Sequence, residues 1–136
     1  MVLKKINGDS SEYKQTKKEI TMKVQIGQLV ATAEPLSKLM SQPMPSATAF
    51  RCSKILKLVQ SELESYETVR KGLVEKYGKD GEVKQKSKNW SKFLDEFNNL
   101  LNTEVNLDIE KIKESNLSKV EISPSDIMAL AWLIEQ

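Results

Sequence analysis

The chain has 136 residues, a net charge of +2, 39% hydrophobic residues and 29% charged residues, values typical of a soluble single domain. Histidine is absent, which removes the usual general base and the commonest metal ligand and argues against an enzyme. The single cysteine, Cys52, excludes an intrachain disulfide and a multi-cysteine metal site, and its position favours a buried thiol. No apolar run reaches the roughly 18 residues that a membrane span needs.

The first 21 residues are polar and lack the apolar stretch of a secretory signal. They are interpreted as an N-terminal extension, so their removal is expected to leave folding intact. A single domain is predicted over residues 22–136. We expect the protein to stay in the cytoplasm of the cell that makes it.

Met22, Val24 and Ile26 alternate with polar residues, a pattern that predicts a short half-buried strand. A helix is predicted over residues 28–41. Pro35 lies inside it, so the helix is expected to kink or to restart near Glu34.

A four-three spacing from Cys52 to Tyr77 predicts a long helix, starting at Ser46, with a narrow apolar seam of the coiled-coil type. Gly72 inside this helix suggests the close approach of another backbone, and Gly78 is expected to end it. The seam positions are Cys52, Leu56, Val59, Leu63, Tyr66, Arg70, Leu73 and Tyr77.

A turn at Asp80 and Gly81, followed by a short strand at 82–86, is predicted to lead into a helix from Ser87 to about Asn102. The short connection predicts that this helix lies antiparallel to the long one. Because it is shorter, part of the long seam needs cover from the first helix or from a second copy of the chain. The seam of this second helix consists of Trp90, Phe93, Leu94, Phe97, Leu100 and Leu101.

Arg70 is the one charged residue of the long seam. We interpret it as a residue that sets the helix register by facing Asp95 or Glu96. A contact with a partner protein is the alternative.

The C-terminal third predicts a strand at 105–110, a very short third strand at 120–122, and a last helix from Ser123 to about Glu135. Ile127, Leu130, Ala131 and Ile134 are expected on its buried face, and Met128 and Trp132 on a second, exposed face. The predicted fold is therefore mainly α (α+β): a long antiparallel helical hairpin, two shorter flanking helices and a small two- or three-stranded sheet.

No motif for catalysis, cofactor binding or metal binding occurs in the sequence. Asp108 and Glu110 share one side of a predicted strand and could offer oxygen ligands to a cation, but such a pattern is more often the solvated side of an edge strand, which is the interpretation we favour. Residues 76–92 carry six lysines against two acids, whereas residues 93–136 carry nine acids against three lysines. Such segregated charge can direct the docking of a protein partner. The candidate partner-binding residues are Met128, Trp132, Arg51, Lys54, Lys57, Lys84, Lys86 and Lys88.

The segments MKVQIGQLV, AFRCSKILKLVQSELESYETVRKGLVEKYG and FLDEFNNLLNTEVNLDIEKIK, with the ending ISPSDIMALAWLIE, resemble a family of small proteins encoded by phages and prophages of Gram-positive bacteria. The resemblance covers residues 22–136, and Pro35 and Cys52 depart from it. Its marks are KYG at 76–78, TEV and LDIE at 103–110, and SPSDIMAL at 123–130. It implies a phage-encoded protein that works in the cytoplasm of a bacterial host, and it carries over no role for an individual residue.

Together these features predict a non-enzymatic protein-binding module that inhibits or redirects a bacterial host protein, for example a defence component. The first alternative is a virion structural or assembly accessory protein. The second is a nucleic-acid-binding protein, because Arg51, Lys54 and Lys57 form a ridge on the long helix. In addition, Trp90 is surrounded by Lys84, Lys86, Lys88 and Lys92. The acidic C-terminal third would repel a phosphate backbone. The expected partner is thus a protein and not a membrane. A homodimer is also compatible with the long seam.

Overall fold

The structure is a computed structural model that describes residues 21–135. Within that range it is mainly helical, as predicted, with four α-helices and two small two-stranded sheets where one sheet was expected. Two short 3-10 helices, Glu114–Leu117 and Ala131–Leu133, connect elements of the C-terminal part. In chain order the elements are β1 (Thr21–Gln25), α1 (Ile26–Met40), α2 (Ser46–Tyr77), α3 (Trp90–Leu101), β2 (Glu104–Asp108), β3 (Ile112–Lys113), α4 (Pro124–Leu130) and β4 (Ile134–Glu135).

Helix α1 packs against the first half of α2. Its buried residues recur every three or four positions, which places them on one face. The helix continues through the buried Pro35, so the expected restart near Glu34 is wrong. The buried residues of α1 are Ile26, Leu29, Thr32, Pro35, Leu36 and Leu39.

The seam of α2 is divided into two halves with different burial. Cys52 and Val59 are fully buried beside α1, but the seam positions beyond Val59 are only half-buried. One side of the second half packs against α3, a short amphipathic helix with no fully buried residue. Helices α1 and α3 meet at Gly27, where an added Cβ would lie 3.3 Å from the carbonyl oxygen of Leu101. The half-buried seam residues are Leu63, Tyr66, Arg70, Leu73 and Tyr77.

Helices α2 and α3 form the predicted antiparallel hairpin. Near its tip Lys76 Nζ lies 3.7 Å from Glu96 Oε1, and further along the Tyr66 and Phe97 rings meet edge-on with centroids 6.5 Å apart. The half-buried rings of α3 continue the row, with Phe93 and Phe97 centroids 5.6 Å apart. The hairpin is therefore held by partly exposed rings and one exposed ion pair.

The loop between α2 and α3 contains the predicted turn, with positive φ at Asp80 and Gly81. The strand expected at 82–86 is absent, and a single bridge joins Lys79 and Glu82 instead. The predicted cap at Ser87 is wrong, because α3 begins at Trp90.

Gly72 lies inside α2 and Gly78 follows its last residue, and the two glycines have different surroundings. Gly78 caps the helix as predicted, and its N–H donates to the Val74 carbonyl oxygen at 2.7 Å. A Cβ at Gly78 would overlap the carbonyl oxygen of Glu82, so the tight turn requires glycine there. The close backbone approach expected at Gly72 is wrong, since nothing lies within 4 Å of an added Cβ.

Strands β1 and β2 pair antiparallel, with Val24 opposite Val105 and Gln25 opposite Glu104. The third strand expected at 120–122 is wrong, because Val120 lies in a turn in which its N–H donates to the Leu117 carbonyl oxygen. A second sheet forms elsewhere, where β3 and β4 pair in parallel. The last helix accordingly ends at Leu130 instead of continuing to about Glu135.

One core unites α1, the first half of α2, β1 and β2, β3 and the C-terminal turn. It lies at one end of α2, so the distal hairpin extends beyond it. The buried hydrophobic residues of the core are Val24, Ile26, Leu29, Leu36, Leu39, Cys52, Ile55, Val59, Leu107, Ile109, Ile112, Leu130 and Leu133.

Candidate protein-binding groove

An apolar groove of about 430 Å³ lies between the segment 114–122 and the C-terminal elements. We call it the C-terminal groove. Most of its lining side chains are aliphatic, with Glu114 and Ser118 as the polar members. A groove of this size and composition suits apolar side chains of a ligand or partner. Its lining residues are Glu114, Leu117, Ser118, Val120, Ile122, Ile127, Ala131 and Ile134.

Helix α4 forms one wall of the groove, and its local sequence explains where it starts. The Ser123 hydroxyl accepts a hydrogen bond from the Asp126 N–H at 3.2 Å, and Pro124 occupies the first turn, so the predicted helix start is confirmed. Asp126 also lies 3.7 Å from Lys38 Nζ of α1. The wall is thus tied to α1 at its beginning.

A polar network holds the other end of this wall against α1. The Trp132 indole N–H donates to the Thr32 hydroxyl oxygen at 3.0 Å. The hydroxyl of Thr32, which is fully buried, donates to the Gln28 carbonyl oxygen at 2.7 Å, and the Ala129 carbonyl oxygen lies 3.3 Å away. The expectation that Trp132 is exposed is therefore wrong: it is half-buried and packs against the core. Its role in partner binding stays a prediction.

Met128 is exposed as expected, with 79% of its surface accessible, and its neighbour Ile127 is 47% exposed. Ile127 was expected to be buried, but α4 ends early and leaves it in the wall of the groove. Large apolar side chains grouped at the surface are typical of interaction sites. The sequence did not indicate the opposite wall, because it predicts Val120 and Ile122 in a short strand and places Leu117 in no predicted element.

The candidate basic residues lie at opposite ends of α2. Arg51 pairs with Glu110 at 3.2 Å, and Lys54 Nζ lies 5.6 Å from the Phe50 ring centroid. Lys57 is exposed on the same half of the helix. About 39 Å of helix separate Arg51 from the C-terminal end of α2. Beyond that end the loop 78–89 carries the exposed Lys84, Lys86 and Lys88. The structure thus does not unite these cations in one surface.

Arg70 pairs with Glu67 of its own helix, with 3.0 Å between Nε and Oε1. The hydrogen bond from Arg70 lowers the pKa of Glu67, and the same bond raises the pKa of Arg70. The expected partners Asp95 and Glu96 are therefore wrong, and Lys76 makes the ion pair with Glu96 instead. A role for Arg70 in setting the register stays a prediction.

Within residues 21–135 no group of three or more Cys, Asp or Glu side chains is arranged to hold a metal ion. Glu110, a candidate oxygen ligand, is paired with Arg51. None of the helices in the same range is long and apolar enough to cross a membrane.

Comparison of the chain with known protein families, with curated proteins and with solved structures finds no match.

Proposed function

We propose that the chain is a non-enzymatic protein-binding module whose C-terminal groove receives apolar side chains of a protein partner. The observation that carries this proposal is Ile127, a large apolar side chain that lines the groove and is 47% exposed, with the 79% exposed Met128 next to it in the same helix. The hydrogen bond from Trp132 to Thr32 ties this wall to α1. A wall that is already held in place favours binding, since less conformational freedom is lost when the partner docks.

The class of partner follows from the resemblance to phage and prophage proteins. It supports a bacterial host protein as the partner, for example a component of a defence system. The chain would act in the cytoplasm of the host by occupying a surface that this protein needs. Inhibition or redirection of the host protein is the expected result.

The proposal is tested by comparing three forms of the tagged chain in host cells. These are the unchanged chain, the double variant Ile127→Glu with Met128→Glu, and the control Phe50→Glu. The control introduces one glutamate, against two in the double variant, at a 68% exposed apolar residue outside the groove. The unchanged chain and the control should retain one host protein in stoichiometric amount, and the groove variant should lose it.

Binding is then measured with the purified partner. We expect the dissociation constant to rise by about tenfold or more for the groove variant alone, because a buried glutamate would have to be desolvated. Equal affinity of all three forms would refute the groove as the binding site.

Mass spectrometry of purified virions addresses the assembly alternative, which requires the chain to be present in particles at a constant copy number.

Nucleic-acid binding is favoured by one observation, the exposed Lys84, Lys86 and Lys88 before the half-buried Trp90. Cations beside an aromatic ring can hold phosphates and stack a base. This alternative requires a mobility shift that weakens steeply with salt. Absence of a shift at low salt would eliminate it.

A further inference from the structure

The second half of α2 has a partly open side, whose residues are half-buried or exposed. Two clefts follow each other along it, one of about 600 Å³ and one of about 260 Å³. Their linings come from α2, from Val30 of α1 and from Gly81 of the loop after α2. The α2 residues that line the two clefts are Gln60, Leu63, Glu64, Tyr66, Glu67, Arg70, Lys71, Val74 and Glu75. We call the six of them that lie between Leu63 and Val74 on one arc of the helix the α2 stripe: Leu63, Glu64, Glu67, Arg70, Lys71 and Val74.

Steps of one, three, three, one and three residues separate the members of the α2 stripe, so they lie on one side of the helix. Along the chain the stripe has an apolar residue, two acids, two bases and an apolar residue. Read in the opposite direction, the same order appears with each acid exchanged for a base. The stripe is therefore complementary to itself in an antiparallel arrangement.

We propose that a second copy of this chain occupies the α2 stripe, with the two α2 helices antiparallel and related by a two-fold axis between Glu67 and Arg70. In this arrangement Leu63 faces Val74 of the other copy, and Glu64 approaches the Lys71 side chain. Glu67 faces the Arg70 of the other copy. A two-fold axis repeats every such contact, so each favourable pair is made twice.

The charges select this arrangement over a parallel one. A parallel pairing would place the acids of one copy against the acids of the other, which is repulsive. The pair that Glu67 and Arg70 already make within one chain would become part of a network of four charges at the axis. The half-buried Leu63 and Val74 would be covered at the two ends of the contact.

The proposed contact is small, with six central residues in each copy and roughly 17 Å of helix between Leu63 and Val74. Interfaces at the lower end of the size range are reversible at micromolar concentrations or above. Since ion pairs at a rim are screened by salt, we expect a dimer that forms with rising protein concentration and dissociates with rising ionic strength.

The test is sedimentation velocity of the full chain and of three charge variants. The basic variant carries Glu64→Lys and Glu67→Lys, and the acidic variant carries Arg70→Glu and Lys71→Glu. Each alone should associate at least about tenfold more weakly than the unchanged chain, because like charges then meet across the axis. An equimolar mixture of the two should associate again, and so should a chain carrying all four changes.

If the mixture associates again, the substituted charges act between two copies and not within one helix, because each variant still carries its own substitutions. Circular dichroism confirms that each variant retains its helix content. A chain that stays monomeric at all concentrations would overturn the proposal. So would variants that associate like the unchanged chain, or a mixture that does not associate. The groove variant Ile127→Glu with Met128→Glu should still dimerise, so this test and the test of partner binding fail independently.

Discussion

Cys52 illustrates how a single side chain reports on the core. It is fully buried between α1 and α2, as its seam position predicted. Burial raises the pKa of its thiol, and the nearby Arg51 charge opposes this only in part. The contribution of the neutral thiol to stability is complete below the ordinary thiol pKa, and it is lost as the pH rises through the raised value in the folded state.

We expect Cys52 to react with a thiol reagent more than about a hundredfold more slowly in the native chain than in the unfolded chain, because reaction requires opening of the core. A time course with a chromogenic disulfide reagent, with and without denaturant, measures this ratio. Because Cys52 is the only cysteine in the sequence, no other thiol has to be replaced before the measurement. Rapid labelling under native conditions would contradict the packing of α1 on α2.

Trp132 and Met128 lie four residues apart and are predicted to differ in their effect on stability. Trp132→Ala should lower the free energy of unfolding by about 2–3 kcal/mol, since it removes packing and the hydrogen bond to the buried Thr32. Met128→Ala should change it by less than about 0.5 kcal/mol, because the side chain is exposed. Urea denaturation of both variants measures the difference, and equal effects would contradict the geometry.

At the scale of the element, the capping hydrogen bond of α4 is expected to contribute measurably to the free energy of unfolding, because the helix has only seven residues. Ser123→Ala should cost about 1 kcal/mol, since the Asp126 N–H loses its acceptor. Ser87→Ala is the control, because α3 starts three residues later and Ser87 does not cap it. Its effect should stay within about 0.5 kcal/mol. Thermal unfolding compares the two, and a larger loss for Ser87 would mean that α3 starts earlier.

The two halves of α2 are predicted to differ in local stability. Ile55 and Val59 are buried in the core, whereas the second half has no fully buried residue and packs against the half-buried α3. Amide hydrogen exchange in dilute solution should therefore be slower around Ile55 than around Leu73 and Val74. Uniform protection along the helix at low concentration would contradict this division. Protection that rises with concentration only in the second half would accompany the proposed dimer.

At the scale of the whole molecule, the domain is expected to fold without the first 20 residues. The core described here is built from residues between Val24 and Leu133, and β1 begins at Thr21. A chain starting at Thr21 should keep its melting temperature within a few degrees, about the shift that 1 kcal/mol causes. Calorimetry of the shortened and full chains decides this. A large decrease would show that the N-terminal residues contribute to the fold.

Local patterns were sufficient to predict much of this fold. Apolar spacing located α1, α2 and α3, alternation located β1 and β2, and the pairing of Ser123 with Pro124 located the start of α4. These features depend on periodicity and capping, which act over a few residues and are therefore visible in a single sequence. The short connection between α2 and α3 predicted that these two helices lie antiparallel.

Contacts between distant residues could not be predicted in the same way. Thr32 and Trp132 meet only because α4 packs on α1, and Ile112 pairs with Ile134 only because the chain returns there. The same holds for the C-terminal groove, whose walls come from an irregular segment and from a helix that ends early. The sequence by itself determined the helices and the seams, because each needs only its own periodic residues. The tertiary structure alone decided which half of α2 is buried and where open apolar surfaces remain, because burial depends on what the rest of the chain leaves uncovered.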